Sequence, residues 1–400
     1  MAGRDRPRCR RDRAAVTPVP RTSWRSVVVI SDWIDGHPAD GPFADAPDHP
    51  PDDGTVTGDI AVVGGYLERL PLALVAAGIV DRAEIWHYWR GREAPPFHRD
   101  GPALARRAFR ITDERTPFHA AGMIDFVHRY GAPHILIVLG LGVAPELLDL
   151  CANSVIVYNS IDAPALRVPA AVSARFDLVI TGAPWQSDVV SDRHPGMATL
   201  VMPIGPEFAS IDQFRPLGTS MDLDLIYVAA AQPYKRHDIL FDALARCPRD
   251  VRALCVFGYS EMGDELRRRA ADQGLDIEFV GPPGVPADEV NRLMNRARFG
   301  VVCGVDDGAP AILTEYMLAG LPVLANADLS CGRQYILPET GITATAEGFA
   351  DAIMRLRETA GGYDPRLVVL DRWTWPHSVA TLTSFIVKLY DSKQRQHGNR

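Results

Sequence analysis

The feature that most limits how this chain can fold is an alternation that repeats along it. Short runs of Val, Ile and Leu, of the kind buried on both faces of a parallel sheet, take turns with amphipathic stretches at helical spacing. In the first part the strand-like runs are 26–30, 83–88, 134–139, 154–158 and 178–181. Between them stand helical patterns. One is opened by Gly64-Gly65 and carries Leu67, Leu70, Leu74 and Val75 on one face; another spans 145–151. Residues 201–216, with Pro203-Ile-Gly205 and then Phe214-Arg-Pro216, read as a linker. A second series follows, with strands at 223–229, 252–257, 277–280, 299–303 and 322–325 and helices at 235–246, 262–273, 286–296 and 310–319.

Each strand–helix–strand step closes as a right-handed crossover, so each series predicts a parallel sheet covered on both faces. The expected class is α/β, with two doubly wound Rossmann-like domains facing a cleft at the carboxyl ends of both sheets. The expected boundaries are a tail at 1–25, a first domain at 26–205, a second at 206–372 and a final segment at 373–400. That segment holds a helical pattern over 373–390, with Val379, Leu382, Phe385, Ile386 and Leu389 on one face. It fits two places equally well: a cap on the second domain, or a return to the first.

Composition narrows the function. A formal charge of −8 argues against nucleic acid as the main partner. No run approaches the ~20 apolar residues that span a membrane, and the Arg-rich start is followed by no apolar stretch of a signal peptide. The scattered cysteines Cys9, Cys151, Cys247, Cys255, Cys303 and Cys331 have neither disulfide nor zinc spacing. They read as small buried hydrophobes in a reducing cytoplasm. Basic residues are almost all arginine, the usage of high-GC bacterial genomes; Lys235, Lys388 and Lys393 are the only lysines.

Lys235 starts a predicted helix directly after a strand, in Gln-Pro-Tyr-Lys235-Arg236-His-Asp. The helix dipole disfavours a cation there unless an anion lies beside it. Another strand ends near Val305 and runs into Asp306-Asp307-Gly308-Ala309-Pro310-Ala311, with Glu315 inside the following helix. Pro310 suits a first helical turn, whose free amides make an anion site. Glu315 is placed to accept from a vicinal diol such as ribose, and Asp307 from a sugar hydroxyl. The plainer reading makes Asp307 a cap and Glu315 a dipole partner. Gly64-Gly65 permits close approach of backbone to a phosphate. Residues 35–59 form a loop dense in Asp, Pro and Gly, beginning at Asp35. It reads as a solvated insert, or else as a loop favouring a cationic acceptor such as an amino sugar or aminocyclitol. Asp222-Leu-Asp224 imitates a metal motif but sits at the entry of a strand, so no metal site is expected.

A rival motif is Gly140-Leu-Gly142, after a strand, with Asp162 about twenty residues on, as a dinucleotide fingerprint requires. Its third glycine place is Pro145, where a ring meets the close helix–strand packing. An NAD-dependent dehydrogenase using Gly140, Gly142 and Asp162 is therefore an alternative, as is a non-hydrolysing nucleotide-sugar epimerase of similar fold.

Taken together, these residues resemble the retaining nucleotide-sugar glycosyltransferases of the GT-B fold, of the large fourth family. The resemblance runs from about Val27 to Tyr390 and rests on Gly64-Gly65, Pro203-Ile-Gly205, Lys235 and the Asp307-to-Glu315 spacing. It implies that Lys235 contacts the donor diphosphate, Asp307 the donor sugar and Glu315 the ribose. It also implies that Gly308 to Ala311 hold sugar and phosphate, and that the last helix returns to the first domain. Catalysis is then expected from Lys235 and Asp307, with a nucleoside-diphosphate sugar as co-substrate and no other cofactor. The family's arginine five residues before the lysine is Ala230 here, and Arg236 is the nearest substitute. The family's first-domain histidine falls closest to Ile161, within Tyr158-Asn159-Ser-Ile-Asp162, which puts Asn159 and Asp162 on the acceptor side.

Overall fold

A computed structural model describes residues 24–34, 58–91, 97–258 and 261–398. The first sheet is built from β1 (Trp24–Ile34), β2 (Val80–Trp89), β3 (Phe97–Arg99), β4 (Leu104–Arg110), β5 (Ile135–Leu139), β6 (Val155–Asn159), β7 (Leu178–Thr181) and β8 (Ala198–Val201). Their spatial order is β3-β4-β2-β1-β5-β6-β7-β8, parallel except for β3 against β4. The second sheet holds β9 (Leu223–Val228), β10 (Ala253–Val256), β11 (Ile277–Val280), β12 (Ala297–Val302), β13 (Val323–Asn326) and β14 (Gly341–Ala344). It is parallel throughout, in the order β11-β10-β9-β12-β13-β14.

Both sheets reverse direction beside their first strand, between β1 and β5 and between β9 and β12. Ligands of such sheets bind at these switch points, outside the carboxyl ends of the strands. The central strands earn their place by composition. β5 reads ILIVL and every residue is buried, as helices on both faces demand.

Several boundaries differ from the sequence reading. β1 begins at Trp24, so the expected tail shortens; residues 1–23 lie outside the described ones. The acidic loop from Asp35 to Asp59, apart from its last two residues, lies outside them too. The expected linker contains the end of β8 and a short helix, Ile204–Glu207. Gly64-Gly65 does not itself begin a helix. A turn intervenes and the helix runs Arg69–Ala76, its first backbone bond passing from the Arg69 N–H to the Gly65 carbonyl at 3.2 Å.

The last helix, Trp375–Gly398, packs on the first domain: Val379, Leu382 and Ile386 join the core of Val27, Val29 and Leu70. Burying each such side chain is worth roughly 1.5–3 kcal/mol, which decides the placement that periodicity left open. Farther along, Lys393 Nζ donates to the carbonyl of Ser154 at 2.6 Å and pairs with Asp177 at 2.6 Å.

Candidate active site

Lys235 does not stand on the long helix that follows β9. Pro233 opens a single 3-10 turn, Pro233–Lys235, and Arg236 ends it in the left-handed region at φ 51°. Only then does the helix His237–Arg246 begin. The Tyr227 hydroxyl donates to the Lys235 carbonyl, which fixes the turn over the end of β9. From this position Lys235 Nζ reaches the Asp307 carboxylate, on the loop after β12, and lies 4.9 Å from the Tyr234 ring centroid. Both members of the pair are largely shielded, with side chains 18% and 12% exposed. The sequence separates them by 72 positions; the switch point brings them into contact.

Glu315 stands in the helix Ile312–Leu318, which starts two residues later than Pro310 predicts. Its partner is a residue the sequence reading passed over. Arg69, in the first turn of Arg69–Ala76, donates from Nη2 to Glu315 Oε1 at 2.6 Å across the domain boundary. Arg69 Nε donates to the Gly64 carbonyl at 2.7 Å, and its guanidinium lies 5.7 Å from the Phe214 ring centroid. The signal that singled out Lys235, a cation at a helix start, applied equally to Arg69.

The glycine turn is not an open anion cradle. Glu68 Oε2 accepts from the Gly65 N–H at 2.7 Å, Gln213 Oε1 accepts from the Gly64 N–H at 3.3 Å, and Arg106 holds the other oxygen of Glu68. Gly64 takes φ +96° with Glu68 packed against it, so a side chain there is excluded twice over. Arg236 does not join Lys235 at Asp307: it forks onto Asp238, at 2.9 Å and 2.7 Å.

The segment Gly308 to Ala311 is pressed against the first domain. Asp162 and Asp307 form an isolated antiparallel bridge. A Cβ on Gly308 would run into the Asp162 backbone, one on Gly182 into the Gly308 carbonyl, and one on Gly205 into Ala309 and Ala311. Thr314 adds a bond to the Pro206 carbonyl at 3.0 Å. The two halves thus meet backbone to backbone where the sequence placed the donor sugar.

Around the other switch point, Asp32 at the end of β1 lies over Gly140. Burial first, then the nearby Asp162 charge, raises its carboxyl above the usual range. The Tyr158 hydroxyl donates to the Gly140 carbonyl at 2.6 Å, and Arg167 pairs with Asp162 at 2.9 Å. The Gly140-Leu-Gly142 turn therefore has a carboxylate of its own protein against it, and the helix after it, Pro145–Leu150, is a short one. That arrangement does not suit a pyrophosphate, and it removes the basis of the dehydrogenase alternative. Asn159, at the end of β6, is fully buried, and neither polar atom of its side chain has a partner among the described residues. Asp222 and Asp224 are held in ion pairs with Arg296 and Arg357 at the entry edge of the second sheet. No cluster of three or more His, Cys, Asp or Glu suited to a metal occurs among the described residues.

Residues 222–359 match the family described as Glycosyl transferases group 1. No curated protein matches the chain. Among solved structures, sucrose-phosphate synthase from Thermosynechococcus elongatus is similar over 94% of this chain and 100% of its own, at 16% identity and a TM-score of 0.64. HepE from Anabaena, solved with UDP and glucose, is similar over 94% and 100%, at 16% identity and 0.58. The lipopolysaccharide outer core galactosyltransferase WaaB is similar over 93% and 99%, at 12% identity and 0.57. The fold is GT-B, and the matched domain sits in the half that carries Lys235, Asp307 and Glu315. Residues 222–359 thus carry a domain of the glycosyltransferase group 1 type.

Proposed function

We propose that this chain is a glycosyltransferase that moves a sugar from a nucleoside-diphosphate sugar to a small-molecule or glycan acceptor, with retention at the anomeric carbon and without a metal ion. The observation that carries the reading is the Lys235–Asp307 pair at the β9/β12 switch point, with Glu315 on the helix that follows the Asp307 loop. HepE, of the same fold, was solved with UDP-glucose, which supports a donor of this kind.

Donor binding is an exchange of anions. The diphosphate takes Lys235 from Asp307, and Asp307 is freed to accept hydrogen bonds from the sugar's hydroxyls. Neither charge is left buried and unpaired at any stage, which keeps the desolvation cost down. Glu315 accepts from the ribose diol. As the glycosidic bond breaks, negative charge grows on the leaving diphosphate. Lys235 stabilises that charge more in the transition state than in the ground state, and this difference is the catalysis. The leaving phosphate accepts the acceptor's proton on the same face, so no protein nucleophile is needed. The acceptor is held from the first domain, where the buried amide of Asn159 has hydrogen-bonding capacity to spare. The reading places the enzyme in the bacterial cytoplasm, supported by five buried free cysteines. No helix among the described residues is long and apolar enough to cross a membrane.

The test is a thermal-shift screen against UDP-, GDP-, TDP- and ADP-sugars, because stabilisation grows with ligand over Kd. One donor should raise the transition strongly in the wild type and weakly in Lys235→Ala. A panel without any shift, or a full shift in the variant, would sink the reading. Turnover of donor without any acceptor would indicate an epimerase instead.

A further inference from the structure

The proposal made here rests on the donor reading above and extends it to a residue of the other domain. Arg69 is 3% exposed, yet its guanidinium is only partly satisfied. Nε is spent on the Gly64 carbonyl and Nη2 on Glu315. Nη1 is buried, and no acceptor lies within hydrogen-bond distance of it among the described residues. A charged donor without an acceptor is expensive to bury, so its place in the fold calls for an explanation. The other two arms hold the plane of the group, so Nη1 points in a fixed direction. The groups around the guanidinium come from both halves: Gly64 on the first domain, Glu315 and Phe214 on the second. This is the seam along which the nucleotide would lie.

We propose that Arg69 binds the nucleotide directly, Nη1 donating to an oxygen of the ribose–diphosphate while Nη2 keeps Glu315 in place. One planar group then does two jobs. It fixes the carboxylate that reads the diol, and it supplies a cation from the first domain, so nucleotide binding draws the two halves together. A guanidinium suits this because its donors form a rigid fork; a lysine has a single ammonium and cannot serve both. Binding and mere positioning of Glu315 differ in one measurable respect. If Arg69 acts only through Glu315, its loss does nothing once Glu315 is neutralised.

The experiment is calorimetric titration of UDP, GDP, ADP and TDP into the full chain. The tightest binder is then repeated on Arg69→Met and Arg69→Lys, each in the wild-type and Glu315→Gln backgrounds. Direct binding predicts that Arg69→Met weakens the diphosphate ~10-fold or more in both backgrounds. The free nucleoside locates the oxygen. A loss that persists with nucleoside puts it on the ribose; a loss confined to the diphosphate puts it on phosphate; both support direct binding. A loss that vanishes in Glu315→Gln overturns the proposal in favour of positioning, and unchanged affinity of Arg69→Met overturns it outright. Should Arg69→Met fail to fold, Arg69→Lys decides: weakened binding supports the fork, wild-type affinity refutes it. Failure of the wild type to bind any of the four would take down the donor reading as well.

Discussion

Lys235 and Asp307 neutralise each other in a partly shielded setting, so replacing either leaves the other buried without its partner. The effects on stability and on chemistry can be told apart. Lys235→Met is expected to lower kcat/KM by ~10²–10³-fold, the usual loss when one preorganised donor to a developing anion is removed. Asp307→Asn keeps an acceptor and the shape, so it should cost less in thermal stability than Asp307→Ala while still impairing sugar binding. Steady-state kinetics set beside melting curves check both. Gly308 makes a sharper case, since the atom it lacks would overlap the Asp162 backbone. Gly308→Ala should therefore cost ~1–3 kcal/mol and push the halves apart, readable as a lower denaturation midpoint and a larger radius of gyration in solution scattering.

The helix His237–Arg246 begins with a histidine whose ring is packed between Tyr227, 4.7 Å away, and Phe257, 5.4 Å away. Burial, helped by the Lys235 charge, lowers its pKa to about 4. In the unfolded chain the ring takes a proton near the ordinary histidine value of 6.5. Between these two values the unfolded state binds more protons than the native one, so stability rises with pH across the window and is lost on acidification from 6.5 towards 4. The full effect is about 3 kcal/mol. His237→Phe should flatten the pH dependence of the melting temperature across that window; an unchanged slope would refute the assignment.

The same element shows where sequence reading works and where it stops. Strand β7 stands where its apolar run predicts, because a buried parallel strand must be continuously apolar. The helix start at Lys235 was misplaced because Pro233 and the left-handed Arg236 split off a turn that periodicity cannot see. β3 and β4 escaped notice because β4 reads LARRAFR, its arginines paired inside the fold with Glu84, Glu68 and Asp100. Motif residues within the second domain were legible, since one loop and one helix carry Asp307 and Glu315. Arg69 offered the same signal as Lys235, a cation at a helix start, but its partner Glu315 lies on the other half, 246 positions away.

At the scale of the whole molecule, Glu207 ties three parts together. It stands in the short helix between the halves, accepts from the Tyr335 hydroxyl of the second domain at 2.9 Å, and from the Ser378 hydroxyl of the last helix at 2.8 Å. Burial raises its pKa above the usual range, and these two donors work against that rise. Ser378→Ala and Tyr335→Phe should each cost ~1–3 kcal/mol, the penalty of leaving a buried acceptor short of a donor. Because both act on one group, the double variant should depart from additivity, and denaturant titration of the four proteins measures by how much.

Near that carboxylate the chain passes between the halves twice, once before β9 and once before the last helix, and the two passages are stitched side by side at Ala209 and Thr374. A single thread between two bodies would let them swivel freely. Two adjoining threads act as a spine, which restricts how the leaves on either side can turn. It helps to hold the one alignment in which Asp162 lies against Gly308 and Arg69 meets Glu315, with no separate device to guide them.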